Sequence, residues 1–254
     1  MQNIKLTLGY DGTAYHGFQV QENALAVQEM LERAIAVVFG SSIRVAAAGR
    51  TDAGVHATGQ VVNFYADTTI PAERIPHALN AVLPKDIVVY HAENVIDSFN
   101  ARFNAVSKVY TYTIDNAEYP RVLALRYAYH VKHNLNVRVM KSSAIHLEGN
   151  HDFTSFCATG SSTQRMVRNM MRLEVEEKDS FITITAEAGG FLYNMMRIIA
   201  GTLIEIGRSK RSPDLARVLV ARDRAAAGWT APAHGLVLRE VKYDDILKDD
   251  RKCL

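Results

Sequence analysis

The stretch Ile43-Arg44-Val45-Ala46-Ala47-Ala48-Gly49-Arg50-Thr51-Asp52-Ala53-Gly54-Val55-His56, followed by Gln60-Val61-Val62-Asn63-Phe64-Tyr65, reads as strand, turn and strand. Small apolar residues lead in, and β-branched and aromatic residues lead out. Gly49 and Gly54 bracket the turn, and glycine admits both positive φ and close backbone approach, so Asp52 is expected on a tight connection at the mouth of a sheet. Arg50, two positions away, favours the ionised carboxylate. The plain alternative is an Asx-turn with a surface ion pair.

Outward from that hairpin the hydrophobic period alternates between two and 3.6. Residues 4–10 alternate as a strand. Residues 24–39 place Val27, Met30, Leu31, Ala34, Val37 and Val38 on one helical stripe. A second helix is predicted over 72–82, stopped by Pro84, and 86–90 forms a closing strand. The order βαββαβ is the ferredoxin-like arrangement. The second half repeats it, with a strand at 108–114, a helix at 137–147 and a hairpin of 171–175 with 181–185 around 178–180. A helix follows at 191–206, then a short one at 213–222 with Pro213 at its first position, and a last strand at 235–241. The expectation is an α+β fold of two tandem ferredoxin-like halves, 1–105 and 106–254, whose sheets join edge to edge into a mixed, antiparallel sheet with a cleft between them. The charged segment 244–254 is expected to fray.

Composition narrows the class. With 254 residues and 48% hydrophobic content the chain can bury a large core. Cys157 and Cys253 are too far apart in sequence for a disulfide framework or a zinc spacing, which suits a reducing compartment. No apolar leader or membrane-length apolar run is present, so a cytoplasmic protein with no membrane partner is expected. A net charge of +2 makes any nucleic-acid surface local. Two clusters qualify, Arg165 with Arg168 and Arg172, and Arg208 with Lys210 and Arg211; the alternative for each is a solvated face. His146, Glu148 and His151 match no metal-ligand spacing, and neither metal nor cofactor is expected.

Arg197 stands inside an apolar run with only Glu205 as another charge. A guanidinium on a mostly buried helix needs an anionic partner, unless its stem snorkels to solvent. Tyr110 and Tyr112 share one face of their strand, where core packing is the ordinary role.

The octet 49–56 closely resembles the catalytic-aspartate motif of the tRNA pseudouridine synthase A family. Further matches run in order along the chain: Gly9-Tyr10-Asp11-Gly12-Thr13, Leu79-Asn80-Ala81-Val82-Leu83-Pro84, Asn100-Ala101-Arg102-Phe103, Lys108-Val109-Tyr110-Thr111-Tyr112, Gly149-Asn150-His151-Asp152-Phe153, Gly190-Phe191-Leu192-Tyr193-Asn194-Met195-Met196-Arg197 and Ala231-Pro232-Ala233-His234-Gly235-Leu236. The resemblance implies the pseudouridine synthase fold and a cofactor-free isomerase acting on uridines 38, 39 and 40 of the tRNA anticodon stem-loop. It also implies a homodimer with tRNA spanning both subunits. Asp52 takes the catalytic role, Arg50 and Arg197 support it electrostatically, Tyr110 stacks on the target base, and Leu236 and Val237 wall the pocket. Phe18 stands where the family frequently has tryptophan, Asn100 and Asn194 replace common histidines, and His234 occupies a place often acidic. Two other functions remain open at this stage: an idle RNA-binding module on the same fold, and a nucleoside-processing glycosidase, for which paired carboxylates are usual.

Overall fold

The computed structural model describes residues 1–161 and 163–244, so the expected frayed tail beyond Asp244, with Cys253, lies outside the described residues. Two compact units emerge: Met1–Val106 joined by the chain from Leu238 onward, and Ser107–Val237.

In the first unit the strands are β1 (Gln2–Tyr10), β2 (Ala46–Ala47), β3 (His56–Ala66) and β4 (Ile87–Val95), with helices α1 (Val27–Phe39) and α2 (Ile75–Asn80). β1 lies between β4 and β3, antiparallel to both, and β2 pairs with β3. That gives the order β4-β1-β3-β2, the ferredoxin-like order predicted from the period changes. Ile4, Leu6 and Leu8 are fully buried, as the alternation in β1 requires.

Three boundaries differ from the sequence expectation, each for a local reason. β2 is two residues long because the Val45 amide donates to Glu32 Oε1 of α1 (3.1 Å) and so leaves the ladder. The second helix begins as a 3-10 turn, Ala72–Arg74, and its α-helical part ends at Asn80, whose side chain is drawn into two 2.8 Å hydrogen bonds with the Val89 backbone. α1 starts only at Val27 and closes at Gly40, which takes the left-handed φ of 72° common at helix ends.

The second unit carries β5 (Ala105–Asp115), β6 (Tyr129–His130), β7 (Gly149–Asp152), β8 (Val167–Lys178) and β9 (Phe181–Ala188). Its helices are α3 (Val137–Ala144), α4 (Met195–Gly207) and α5 (Leu215–Ala221), and β10 (Leu236–Tyr243) leads back to the first unit. The antiparallel order β5-β9-β8-β7 holds, with the short β6 parallel to β5. Asp179 and Ser180 join β8 to β9 at φ 52° and 61°, a two-residue turn with both φ positive that matches the twist of the flanking strands. Pro213 is not at the first helical position: Asp214 caps α5 by accepting from the Arg217 amide.

The last strand groups with the first unit from Leu238, where the expected division at 105 placed it in the second. A β-carbon on Gly59 would lie 2.1 Å from the Arg239 carbonyl oxygen, so the glycine lets the two backbones meet. Tyr243 then donates to the Ala101 carbonyl (2.7 Å), packs on Phe99 and receives Lys5 Nζ over its ring at 4.9 Å.

Candidate active site

Asp52 is half-buried, between a pinned residue and a closed turn. Its carbonyl accepts from the Val55 amide (3.1 Å), and Gly54 takes φ +76° at the third turn position, as a type II turn demands. Of the two bracketing glycines only Gly54 takes positive φ. Thr51 is buried and held twice: its hydroxyl meets the Tyr10 hydroxyl at 2.7 Å, and its carbonyl accepts from the Phe18 amide at 3.1 Å. That second bond requires Gly17, at φ +99°, whose β-carbon would fall 2.7 Å from the same carbonyl oxygen. Buried Gln60 donates from Nε2 to the Gly49 carbonyl (3.0 Å), tying the entry of the loop to β3. The backbone carrying the carboxylate is therefore held at Gly49, Thr51 and Val55, the kind of preorganisation that a reacting group needs.

Burial pushes the Tyr10 phenol up to about 12, against smaller opposing effects of Thr51 and Gln60. Tyr10 is thus a permanent neutral hydrogen-bonding group below the loop. His56 accepts from the Gly12 amide through Nδ1 (2.9 Å), which places the proton of the neutral ring on Nε2. Asp11 Oδ1 lies 3.1 Å from the same nitrogen, an ion pair only in the protonated ring. His56 thus ties the octet to the Gly12 backbone through a buried hydrogen bond. Arg50 is exposed, and its guanidinium is in none of the ion pairs among the described residues.

In the second unit Arg197 sits in the first turn of α4. A cation there faces the positive end of the helix dipole and must be held by acceptors. Nε donates to the Ala231 carbonyl (2.8 Å) and Nη1 to Asn194 Oδ1 (2.8 Å), so the stem does not simply snorkel outward. α4 starts at Met195, four residues after the predicted start, because Asn194 adopts the left-handed conformation, φ 57°. Glu205, the other charge of the apolar run, pairs with Arg211 Nε at 2.7 Å.

Tyr110 is 7% exposed, and Phe191 meets its ring edge-on at a 4.9 Å centroid distance. Tyr112 is fully buried and donates to the Pro232 carbonyl (3.0 Å); burial raises its pKa far above the usual phenol range, with Arg197 opposing. Leu236 and Val237 are both buried at the start of β10.

A family model described as tRNA pseudouridine synthase matches residues 8–104 and 143–244, well over half the chain and including both Asp52 and Arg197. The chain belongs to the tRNA pseudouridine synthase family. It is 49% identical over 245 residues to the tRNA pseudouridine synthase A of Bacillus subtilis (strain 168), covering 95% of this chain and 99% of that one. The like-named protein of Thermoanaerobacter sp. (strain X514) is 46% identical over 244 residues, 96% of this chain and 100% of its own. Among solved structures, the archaeal box H/ACA sRNP Nop10-Cbf5 complex matches 88% of this chain and 46% of its own at 13% identity, with a TM-score of 0.32, too loose an overlay to add to the fold.

The basic residues of this synthase family member fall into different settings. Arg165 is exposed, whereas Arg168 on β8 folds back to donate from Nη1 to the Arg165 and Val167 carbonyls, and burial followed by Arg165 lowers its pKa. Lys210 is exposed and Arg208 half-exposed at the end of α4, while Arg211 is engaged with Glu205 and the Ala226 carbonyl. Glu148 and His151 are also occupied locally, Glu148 accepting from the Leu173 amide and His151 bonding the Glu148 carbonyl. Among the described residues no group of three or more His, Cys, Asp or Glu side chains is placed to hold a metal, and no helix is long and apolar enough to cross a membrane. The sequence reading missed Tyr10, Thr51 and Gln60 as one buried network and Asn194 as a partner of Arg197. A glutamine inside an apolar strand was the available signal for the first, and the second had none beyond spacing.

Proposed function

We propose that this protein isomerises uridine to pseudouridine in tRNA, at positions 38, 39 and 40 of the anticodon stem-loop, with Asp52 as the catalytic carboxylate. Net, the N1–C1′ bond breaks, a C5–C1′ bond forms, C5 loses a proton and N1 carries one. The reaction is redox-neutral and consumes no co-substrate, so a single carboxylate serving as nucleophile or base beside the sugar meets its demand. The observation that carries the proposal is the coincidence of a nearly full-length family match with an aspartate mounted on a turn fixed at Gly49, Thr51 and Val55.

Arg197 keeps that carboxylate ionised and oriented, and exposed Arg50 adds positive charge to the same loop without an ion pair of its own among the described residues. Tyr110 replaces the stacking lost when the target base leaves its helix, and Leu236 and Val237 give the pocket an apolar wall. Of the basic residues, the exposed Arg165 and Lys210 and the half-exposed Arg208 hold RNA phosphates, whereas Arg168 and Arg211 are engaged with carbonyls and Glu205. The working form is a cytoplasmic homodimer that needs no metal or cofactor. Incubation with unmodified tRNA transcripts, carbodiimide treatment and primer extension tests this. Stops one nucleotide before positions 38 to 40 are expected. Absence of stops despite tRNA binding would indicate an idle RNA-binding module, and free uracil would indicate a glycosidase.

A further inference from the structure

We infer that Asn194 is a positioning residue: its side-chain oxygen fixes the guanidinium of Arg197. The inference rests on Arg197 serving the active site, as proposed above.

Asn194 immediately precedes α4, where an asparagine ordinarily takes extended backbone angles and turns its side chain onto a helix amide. Here it does neither. The backbone is left-handed, φ 57° and ψ 9°, and the side chain makes no cap hydrogen bond. Oδ1 instead accepts from Arg197 Nη1 at 2.8 Å. The residue itself is anchored, because its carbonyl accepts from the Ile198 amide at 3.0 Å.

The second acceptor comes from another segment. Arg197 Nε donates to the Ala231 carbonyl (2.8 Å) while the Ala231 amide donates back to the Arg197 carbonyl (3.0 Å), a reciprocal pair. A planar guanidinium bound at both Nε and Nη1 has its plane and its direction fixed. Loss of the Asn194 acceptor removes one of the bonds that set the guanidinium plane, and the repulsive end of the α4 dipole then works against those that remain. A left-handed residue with a short acceptor side chain suits this geometry, because its twist carries the carbonyl oxygen back over the first turn. Asparagine and aspartate tolerate that conformation, and glycine enters it without a side chain.

The test uses full-length protein and single-turnover kinetics on unmodified tRNA transcripts, with affinity measured separately and thermal melting as a folding control. Asn194→Gly keeps the backbone and is expected to slow the reaction by about tenfold to a hundredfold while changing tRNA affinity less than about threefold. Asn194→Asp retains the acceptor and is expected to stay within about threefold of the parent rate. In an Arg197→Met background, Asn194→Gly should change the rate less than about twofold. A parent-like rate for Asn194→Gly, or an equal loss in both backgrounds, would overturn the inference. So would a folded Asn194→Asp protein that is slowed more than about tenfold, a comparison that stands even if the glycine variant does not fold. If Arg197→Met alone keeps the parent rate, the reading of Arg197 itself is wrong; if it is slow and Asn194→Gly is not, only the inference about Asn194 is.

Discussion

At the scale of single residues, the proposed chemistry rests on Asp52 and on the groups that immobilise its neighbours. Asp52→Asn preserves shape and loses both nucleophilicity and basicity, so turnover should fall by about three orders of magnitude or more while tRNA binding and the circular dichroism spectrum persist. A near-parent rate would remove the site assignment. Tyr10 offers an independent test of the network beneath it. Its folded-state pKa, about 12, lies above the ordinary 10.0, so the folded protein holds this proton more tightly than the unfolded chain. Its contribution to stability is complete below pH 10 and is lost as pH rises toward 12, by about 3 kcal/mol in all. Tyr112 and Tyr243, also raised by burial, add to the same alkaline decline, so the informative quantity is a difference. Urea unfolding across the alkaline range should show a shallower decline in Tyr10→Phe than in the parent. At neutral pH the variant should lose about 1 kcal/mol with the Thr51 hydrogen bond. Parallel pH profiles would mean that the phenol titrates freely.

At the scale of elements, the basic run after α4 separates into residues with different work. Arg211 is tied to Glu205 and the Ala226 carbonyl, whereas Lys210 is exposed. Lys210→Ala should therefore leave the melting temperature unchanged and reduce the salt slope of tRNA binding by about 0.7 to 0.9 if it meets a phosphate. Arg211→Ala should instead destabilise the fold, by about 1 to 3 kcal/mol, since it strands Glu205 and a carbonyl. Filter binding over a salt series, with thermal melts beside it, tells these apart. The same region shows what the sequence could convey. Periodicity located β1 and the hairpin of β8 and β9, which alternate between core and surface, while the continuous apolar runs of β5 and α4 reflect burial on nearly all sides. It misplaced the start of α4 and the lengths of β2 and α2, where a side chain decides the matter: Asn194 by its left-handed backbone, Glu32 by taking the Val45 amide, Asn80 by bonding Val89. Side-chain competition for backbone groups has no period, so it is invisible to a pattern. The turn that carries Asp52 was legible through Gly54; the Tyr10, Thr51 and Gln60 network was signalled only by a glutamine inside an apolar strand, because Tyr10 is separated from Thr51 by 41 positions.

At the scale of the whole molecule, the proposed reaction draws on residues far apart in the chain, Asp52 on one side and Tyr110 and Arg197 on the other. A carboxylate that must stay ionised near an anionic RNA needs a cation, and a guanidinium at a helix N-terminus needs negative charge to offset the dipole. The two demands are complementary, which predicts that Asp52 and Arg197 act as one functional group. Arg197→Met should then lower turnover severely on its own. Adding Asp52→Asn to it should give a rate scarcely below that of Asp52→Asn alone, because the arginine acts only through the carboxylate. Single-turnover assays of the two single variants and the double variant complete the cycle. Rate losses that multiply would show that Arg197 serves a separate task, such as holding a phosphate, and in that case its removal should also weaken tRNA affinity and change its salt dependence.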